Sequence, residues 1–251
     1  MTLRRTIVAT SLKMYFGHAR TLEWVRAAAS VAIPDTVETI VLPSFLSIPE
    51  TVAELRDTPI GVGAQNMWSD DAGAFTGEVS GPQLREAGCR FVELGHAERE
   101  RLFGEDAGLV AAKIDSAWRN DLCPILCLGE KEEETPDAAA RRCAEILRDL
   151  LARTTGGGDL IVAYEPVWAI GAPHAASAEH VRTVAAALRE VLAQHPALKD
   201  ARIIYGGAAG EGLLEQLYPA VDGLFLGRFA HDPAAWGRIV EEAAAVAASD
   251  R

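Results

Sequence analysis

The stretch Leu160-Ile161-Val162-Ala163-Tyr164-Glu165-Pro166-Val167-Trp168-Ala169-Ile170-Gly171 decides how this chain folds. Its first five residues are too continuously apolar for a strand with one wet face and too few for a helix. They read as a strand buried on both faces. Beyond the glutamate and proline that end it, Val181, Val184, Ala185, Leu188 and Leu192 recur at helical spacing. Ser177 stands where an N-cap belongs, with Glu179 in the first turn to suit the helix dipole. A doubly buried strand followed by an amphipathic helix is the repeating unit of a parallel sheet.

Working outward, the same unit recurs. Short apolar runs at residues 6–10, 37–42, 60–65, 91–94, 124–128, 160–164, 202–205 and 223–226 read as eight strands. Val110, Ile114, Ala117 and Trp118 share one helical face, and Cys143, Ile146, Leu147 and Leu150 another. Gly156-Gly157-Gly158 reads as a flexible turn into the sixth strand. No Pro/Ser-rich linker or low-complexity tract divides the chain, which predicts one domain over residues 1–251. Eight βα units in 251 residues fit a single (β/α)8 barrel of the α/β class. An open doubly wound sheet usually takes fewer strands, and no GxGxxG follows the first run.

Composition narrows the function. Hydrophobic residues make up 49% and charged residues 24%, ordinary for a globular protein. No apolar run approaches the roughly 20 residues that cross a bilayer. Met1-Thr2-Leu3-Arg4-Arg5 leads into a five-residue apolar run, too short for a secretory signal core, so the chain is expected to be cytoplasmic. A net charge of −12 argues against a nucleic-acid groove or a basic membrane face. It leaves room for an anionic small substrate, since a few amides and one lysine can hold a phosphate. Cys89, Cys123, Cys127 and Cys143 match no usual zinc spacing and are expected to be reduced and mostly buried.

In a barrel the chemistry stands on the loops after the strands. Lys13 follows the first strand, as a cation for an anionic substrate or as a solvated end charge. His96 follows the fourth, as a loop cap or as a neutral imidazole polarising a carbonyl, with Glu98 and Arg99 close by. Glu165 follows the sixth. Burial there tilts a carboxylate's pKa upward and suits it to be a base, while the bland reading is a structural carboxylate paired with a lysine. Pro166 stiffens the chain after it, and Trp168 gives the next loop an apolar anchor, a pattern resembling a closing lid. Gly206-Gly207-Ala208-Ala209-Gly210 and Gly227-Arg228 follow the last two strands, where barrels often hold phosphate.

These residues carry a resemblance. Leu12-Lys13-Met14, Gly63-Ala64-Gln65-Asn66, Gly73-Ala74-Phe75-Thr76-Gly77-Glu78 and Leu94-Gly95-His96 occur in order, followed by Glu98-Arg99 and Phe103-Gly104-Glu105. Cys127-Leu128-Gly129-Glu130, the run from Tyr164 to Gly171, Tyr205-Gly206-Gly207 and Asp222-Gly223 complete the set. Over nearly its full length the chain resembles the triosephosphate isomerases, whose fold is the (β/α)8 TIM barrel. The resemblance implies a cofactor-free, metal-free proton transfer on a short phosphorylated ketose through an enediol. Base and neutral-histidine roles in this family are a standard worked example. By that resemblance Glu165 removes the carbon-bound proton, His96 hydrogen-bonds the enediolate oxygen, Lys13 stabilises its charge and the phosphate, and Glu98 supports Lys13. It further implies a lid over residues 166–176, substrate contacts at Ser11, Gly171, Ala208, Gly227 and Arg228, and a homodimer in which the Phe75-Thr76 loop enters the neighbouring subunit.

The chain departs from the family around that pocket. Ser11 replaces an asparagine, Ala97 and Ala208 replace serines, Ala172-Pro173-His174-Ala175 replaces Thr-Gly-Lys-Thr, and Arg228 replaces a glycine. Each lost hydrogen bond weakens the original substrate by roughly 1–3 kcal/mol unless compensated, and the smaller side chains make room. Arg228 has two readings, a bidentate phosphate partner or a side chain in solvent. Thr10-Ser11 before the lysine and Gly227-Arg228 after the last strand resemble family members that interconvert L-erythrulose 1-phosphate and D-erythrulose 4-phosphate. Two alternatives stay open: an ordinary glycolytic triosephosphate isomerase, and a non-catalytic sugar-phosphate sensor on the same fold.

Overall fold

The computed structural model describes residues 6–249. The leader reading of Met1-Thr2-Leu3-Arg4-Arg5 lies outside them. Eight parallel strands close into a barrel in sequence order. They are β1 (Thr6–Ser11), β2 (Val37–Leu42), β3 (Gly61–Ala64), β4 (Phe91–Leu94), β5 (Cys123–Leu128), β6 (Leu160–Tyr164), β7 (Ala201–Tyr205) and β8 (Gly223–Leu226). The helices are α1 (His18–Ala29), α2 (Ile48–Glu54), α3 (Gly81–Glu86), α4 (Ala97–Phe103) and α5 (Ala107–Arg119). After them come α6 (Pro136–Arg153), α7 (Ala178–Ala193), α8 (Leu213–Leu217) and α9 (Pro233–Ser249). The barrel closes where Ile7 of β1 pairs with Gly223 of β8.

Four strands differ from the sequence reading by a residue, β1, β5 and β7 at one end and β3 at both, since it begins at Gly61 rather than Ile60. β1 runs on to Ser11, which still pairs with Leu42. β3 stops at Ala64 because the Gln65 side chain, rather than its strand position, bonds the neighbouring backbone. β5 and β7 each begin one residue earlier, at Cys123 and Ala201, where pairing with Phe91 and Leu160 starts.

Strand alternation makes two cores. Ile7, Ile40, Ile125, Ile161, Ile204 and Phe225 fill the barrel's inside. Val8, Val41, Val92, Val162 and Leu224 face outward, against the helical layer. Val181, Val184, Ala185, Leu188 and Leu192 present one buried face of α7 to it. Each buried valine, leucine or isoleucine among them stabilises the fold by about 1.5–3 kcal/mol. Ser177 caps α7 as its sequence position implies, its hydroxyl accepting from the His180 N–H. All four cysteines are free, and Cys89, Cys127 and Cys143 are buried. Among the described residues no helix is long and apolar enough to cross a membrane.

Candidate active site

Lys13 leaves β1 with φ at 46°, a left-handed conformation that costs a non-glycine residue of order 1–3 kcal/mol. Gln65 holds it there, its Nε2 donating to the carbonyls of Lys13 at 3.1 Å and Leu42 at 2.9 Å. The ammonium turns to Glu98, with Nζ 2.8 Å from Oε1. Burial opposes that charge, but the Glu98 carboxylate outweighs it and holds Lys13 above the usual lysine value.

His96 caps α4. Its Nδ1 accepts from the Glu98 N–H at 3.1 Å, which assigns the proton of the neutral ring to Nε2. Burial, reinforced by the Lys13 cation, lowers His96 to about 4, so it is neutral at pH 7. Nε2 lies 3.3 Å from Lys13 Nζ. Two donors cannot bond each other; here they converge on one place for an oxygen bearing negative charge.

Glu165 faces that place. Its Oε2 stands 3.6 Å from His96 Nε2 and has no hydrogen-bond partner. Burial raises it to about 7, against the pull of Lys13 and of the Cys127 thiol beside it. The reading of a structural carboxylate paired with a lysine does not fit, because Lys13 is taken by Glu98. Gly206 makes the space: a Cβ there would come within 2.5 Å of Glu165 Oε1.

The segment after Glu165 is anchored at both ends. Trp168 is more than an apolar anchor, since its indole donates to Glu130 at 2.8 Å. Glu130 is wholly buried and also accepts from the Tyr164 hydroxyl at 3.1 Å, with His180 Nε2 at 3.0 Å. At the far end the Ala176 N–H donates to Tyr205 Oη at 3.0 Å. Between them Gly171 turns with φ at 71°, and the Arg228 Nη2 donates to its carbonyl at 3.4 Å. The Arg228 side chain is exposed, and from the loop after β8 it reaches the tip of this segment.

Of the other residues expected to meet substrate, Ala208 adopts φ of 46°. Gly227 leads half-buried into a short 3-10 turn that begins at Arg228. Ser11 is buried and donates its hydroxyl to Glu93 Oε2 at 2.9 Å. Arg99 pairs with Glu105 rather than with Glu98, and Glu105 also takes Lys113 at 2.6 Å. A cavity of about 780 Å3 adjoins Glu165 and Cys127 but is not lined by Lys13 or His96. Its lining carries more carboxylates, among them Glu132, Glu145 and Asp149, than basic side chains. Such a lining repels a phosphate.

Four residues escaped the sequence reading as parts of this site: Gln65, Glu93, Glu130 and Tyr205. Glu93 had a signal, a charge inside a four-residue apolar strand at the same parity as the inward Phe91. For the others the partners named above lie 23 to 52 residues away in sequence, and no local pattern points to them.

The family model for triosephosphate isomerase matches residues 6–243. L-erythrulose-1-phosphate isomerase of Pectobacterium atrosepticum is 45% identical, over 97% of this chain and 97% of that protein. Triosephosphate isomerase of Moorella thermoacetica is 37% identical, over 95% of this chain and 98% of its own length. That of Symbiobacterium thermophilum is also 37% identical, over 96% and 98%.

Proposed function

The chain belongs to the triosephosphate isomerase family, and from that premise we propose that it isomerises a four-carbon ketose phosphate, interconverting L-erythrulose 1-phosphate and D-erythrulose 4-phosphate without a cofactor. The observation that carries the reaction class is the facing of Glu165 Oε2 and His96 Nε2 at 3.6 Å beside Lys13. Glu165, ionised above pH about 7, takes the proton from C3, next to the C2 carbonyl. Negative charge grows on O2, where the His96 N–H and the Lys13 ammonium converge. Once a proton has moved from O3 to O2, Glu165 returns its own to C2, and the carbonyl stands at C3. Atoms and electrons balance within the substrate.

Two features favour four carbons over three. The pocket has lost bulk at Ser11 and Ala208, and the relative named for the tetrulose substrate is 45% identical against 37% for the named triose enzymes. Phosphate is held at the rim of β7 and β8, by backbone N–H groups around Ala208 and Gly227 and by Arg228. We further propose a homodimer, formed through the Phe75-Thr76 loop and the exposed Met14, Tyr15 and Leu46, working in the cytoplasm.

The test is NMR in D2O with L-erythrulose 1-phosphate and dihydroxyacetone phosphate in parallel. Deuterium entry and product from the tetrulose at higher kcat/KM supports the reading. A clear triose preference overturns it in favour of a glycolytic enzyme. Binding of both without exchange overturns catalysis and leaves a sensor.

A further inference from the structure

Strand alternation turns Phe91 into the barrel and Val92 and Leu94 out of it, so Glu93 points in. By the same parity Ser11 continues the inward row of Ile7 and Ala9, and Cys127 that of Ile125. The side chains below are apolar, Ile7, Phe91 and Ile125 among them. Glu93 keeps 3% of its surface, and among the described residues its one hydrogen-bond partner is the Ser11 hydroxyl, at 2.9 Å. Lys13, the cation that bears on it, is spent on Glu98 at 2.8 Å. A buried carboxyl with one neutral donor and no ion pair does not serve stability, since an aliphatic side chain would fill the same interior at less cost. It fits a polar group that arrives with a ligand.

The position says which group. Ser11 lies two residues before Lys13, and Glu93 three before His96. Glu93 also feels the charge of Glu165, and the Cys127 thiol feels both carboxylates. The Ser11–Glu93 pair therefore lies beneath the reacting groups. In the closed ring β4 stands opposite β8. A substrate with its phosphate at the β7–β8 rim and its reacting carbons between Glu165 and His96 extends its other end toward β4. A triose phosphate ends there at the reacting carbon and its oxygen. A four-carbon ketose 1-phosphate adds a hydroxymethyl group.

We propose that Glu93, oriented by Ser11, is the residue that determines specificity, hydrogen-bonding the terminal hydroxyl of the fourth carbon. This role rests on the four-carbon reading above. A site built to bond a substrate hydroxyl discriminates strongly against an analogue lacking it, because its polar groups are then left unpaired.

The experiment compares kcat/KM of the wild-type enzyme, Glu93→Leu and Glu93→Gln on L-erythrulose 1-phosphate, its 4-deoxy analogue and dihydroxyacetone phosphate. The wild type is expected to prefer the hydroxylated ketose over the 4-deoxy one at least tenfold, mainly through KM. Glu93→Leu is expected to erase that preference and to shift the tetrulose-to-triose ratio at least tenfold toward the triose. Glu93→Gln keeps the shape and part of the hydrogen bonding, and reduces the preference at least threefold; it carries the comparison if the leucine variant fails to fold. Equal losses on the hydroxylated and deoxy ketoses overturn the role of Glu93 while leaving the four-carbon reading intact. A wild type that turns over only the triose overturns the four-carbon reading, and this role with it.

Discussion

His96 Nε2 and Glu165 Oε2 stand 3.6 Å apart across the barrel mouth, one a donor held neutral and the other a carboxylate oxygen with no hydrogen-bond partner. Their environments push them in opposite directions on the pH scale relative to their ordinary values, His96 down to about 4 and Glu165 up to about 7. Burial disfavours the charged form of each. Above pH 7 the pair is an ionised carboxylate and a neutral imidazole, the state that the proposed enediol mechanism needs.

The pH profile of kcat/KM follows. It is expected to rise through pH about 7 as Glu165 ionises and to fall above about 8. There Glu93, raised by burial and by the Glu165 charge, ionises beneath the developing enediolate. Glu165, Lys13, Glu98 and the Ser11 hydroxyl are the groups that act on it. In Glu93→Gln the alkaline fall is expected to vanish while the acid limb stays near 7. An unchanged alkaline limb in that variant refutes the assignment.

Stability carries the same groups with a definite sign. Glu93 shifts from 4.5 to about 8 on folding and Glu165 from 4.5 to about 7, so the folded state binds their protons more tightly than the unfolded chain. That contribution is complete below pH 4.5 and is lost as pH rises through 7 and 8. Glu93→Gln is expected to match the wild type near pH 5 and to be more stable by a few kcal/mol at pH 8.5. Urea unfolding at the two pH values measures it, and a difference that does not grow with pH contradicts it.

How much of this was legible in the sequence depends on the kind of contact. The eight strands were readable because doubly buried parallel strands leave unbroken apolar runs such as Leu160 to Tyr164. Lys13, His96 and Glu165 were readable as candidates because each stands within two residues of the end of such a run. Arg228 was not, since whether a long side chain reaches the Gly171 carbonyl 57 residues away depends on how two loops lie together. Glu130 was quoted as part of a motif, but its role as a common acceptor for Tyr164, Trp168 and His180 exists only once β5, β6 and α7 are assembled.

The segment after Glu165 is expected to act as a lid through the Tyr205 hydroxyl. Tyr205→Phe removes its bond to the Ala176 N–H and nothing else of the ring's packing. A net hydrogen bond of about 0.5–1.5 kcal/mol corresponds to a roughly 2- to 12-fold loss of the closed form. Inorganic phosphate released per isomerisation is expected to rise as water reaches the enediol. Unchanged release in Tyr205→Phe sinks the idea that this bond holds the lid.

Gly206 is expected to be as intolerant of change as Glu165 itself. Alanine there would bring a methyl group to 2.5 Å from Glu165 Oε1, and the flexible carboxylate is what yields. A displacement near 1 Å in a reacting group costs on the order of 100-fold. Gly206→Ala should therefore lower kcat by about that factor with little change in KM, and wild-type kcat in this variant would show that Glu165 is not held at its reacting position by this contact.

The proposed dimer gives the last expectation, because it would couple assembly to chemistry. Met14 is 94% exposed and Leu46 85%, and Met14 adjoins Lys13, whose left-handed backbone needs support. Apolar side chains this exposed on the loops after β1 and β2 are costly in water and suit a covered interface. Leu46→Glu places a charge in that interface without touching Lys13, His96 or Glu165. Sedimentation is expected to show a dimer for the wild type and a monomer for the variant. The monomer should lose kcat, since the Lys13 loop then lacks the neighbour that covers Met14. A monomeric variant with full kcat would show that Lys13 is held by Gln65 and Glu98 alone, and a wild type that sediments as a monomer would remove the dimer altogether.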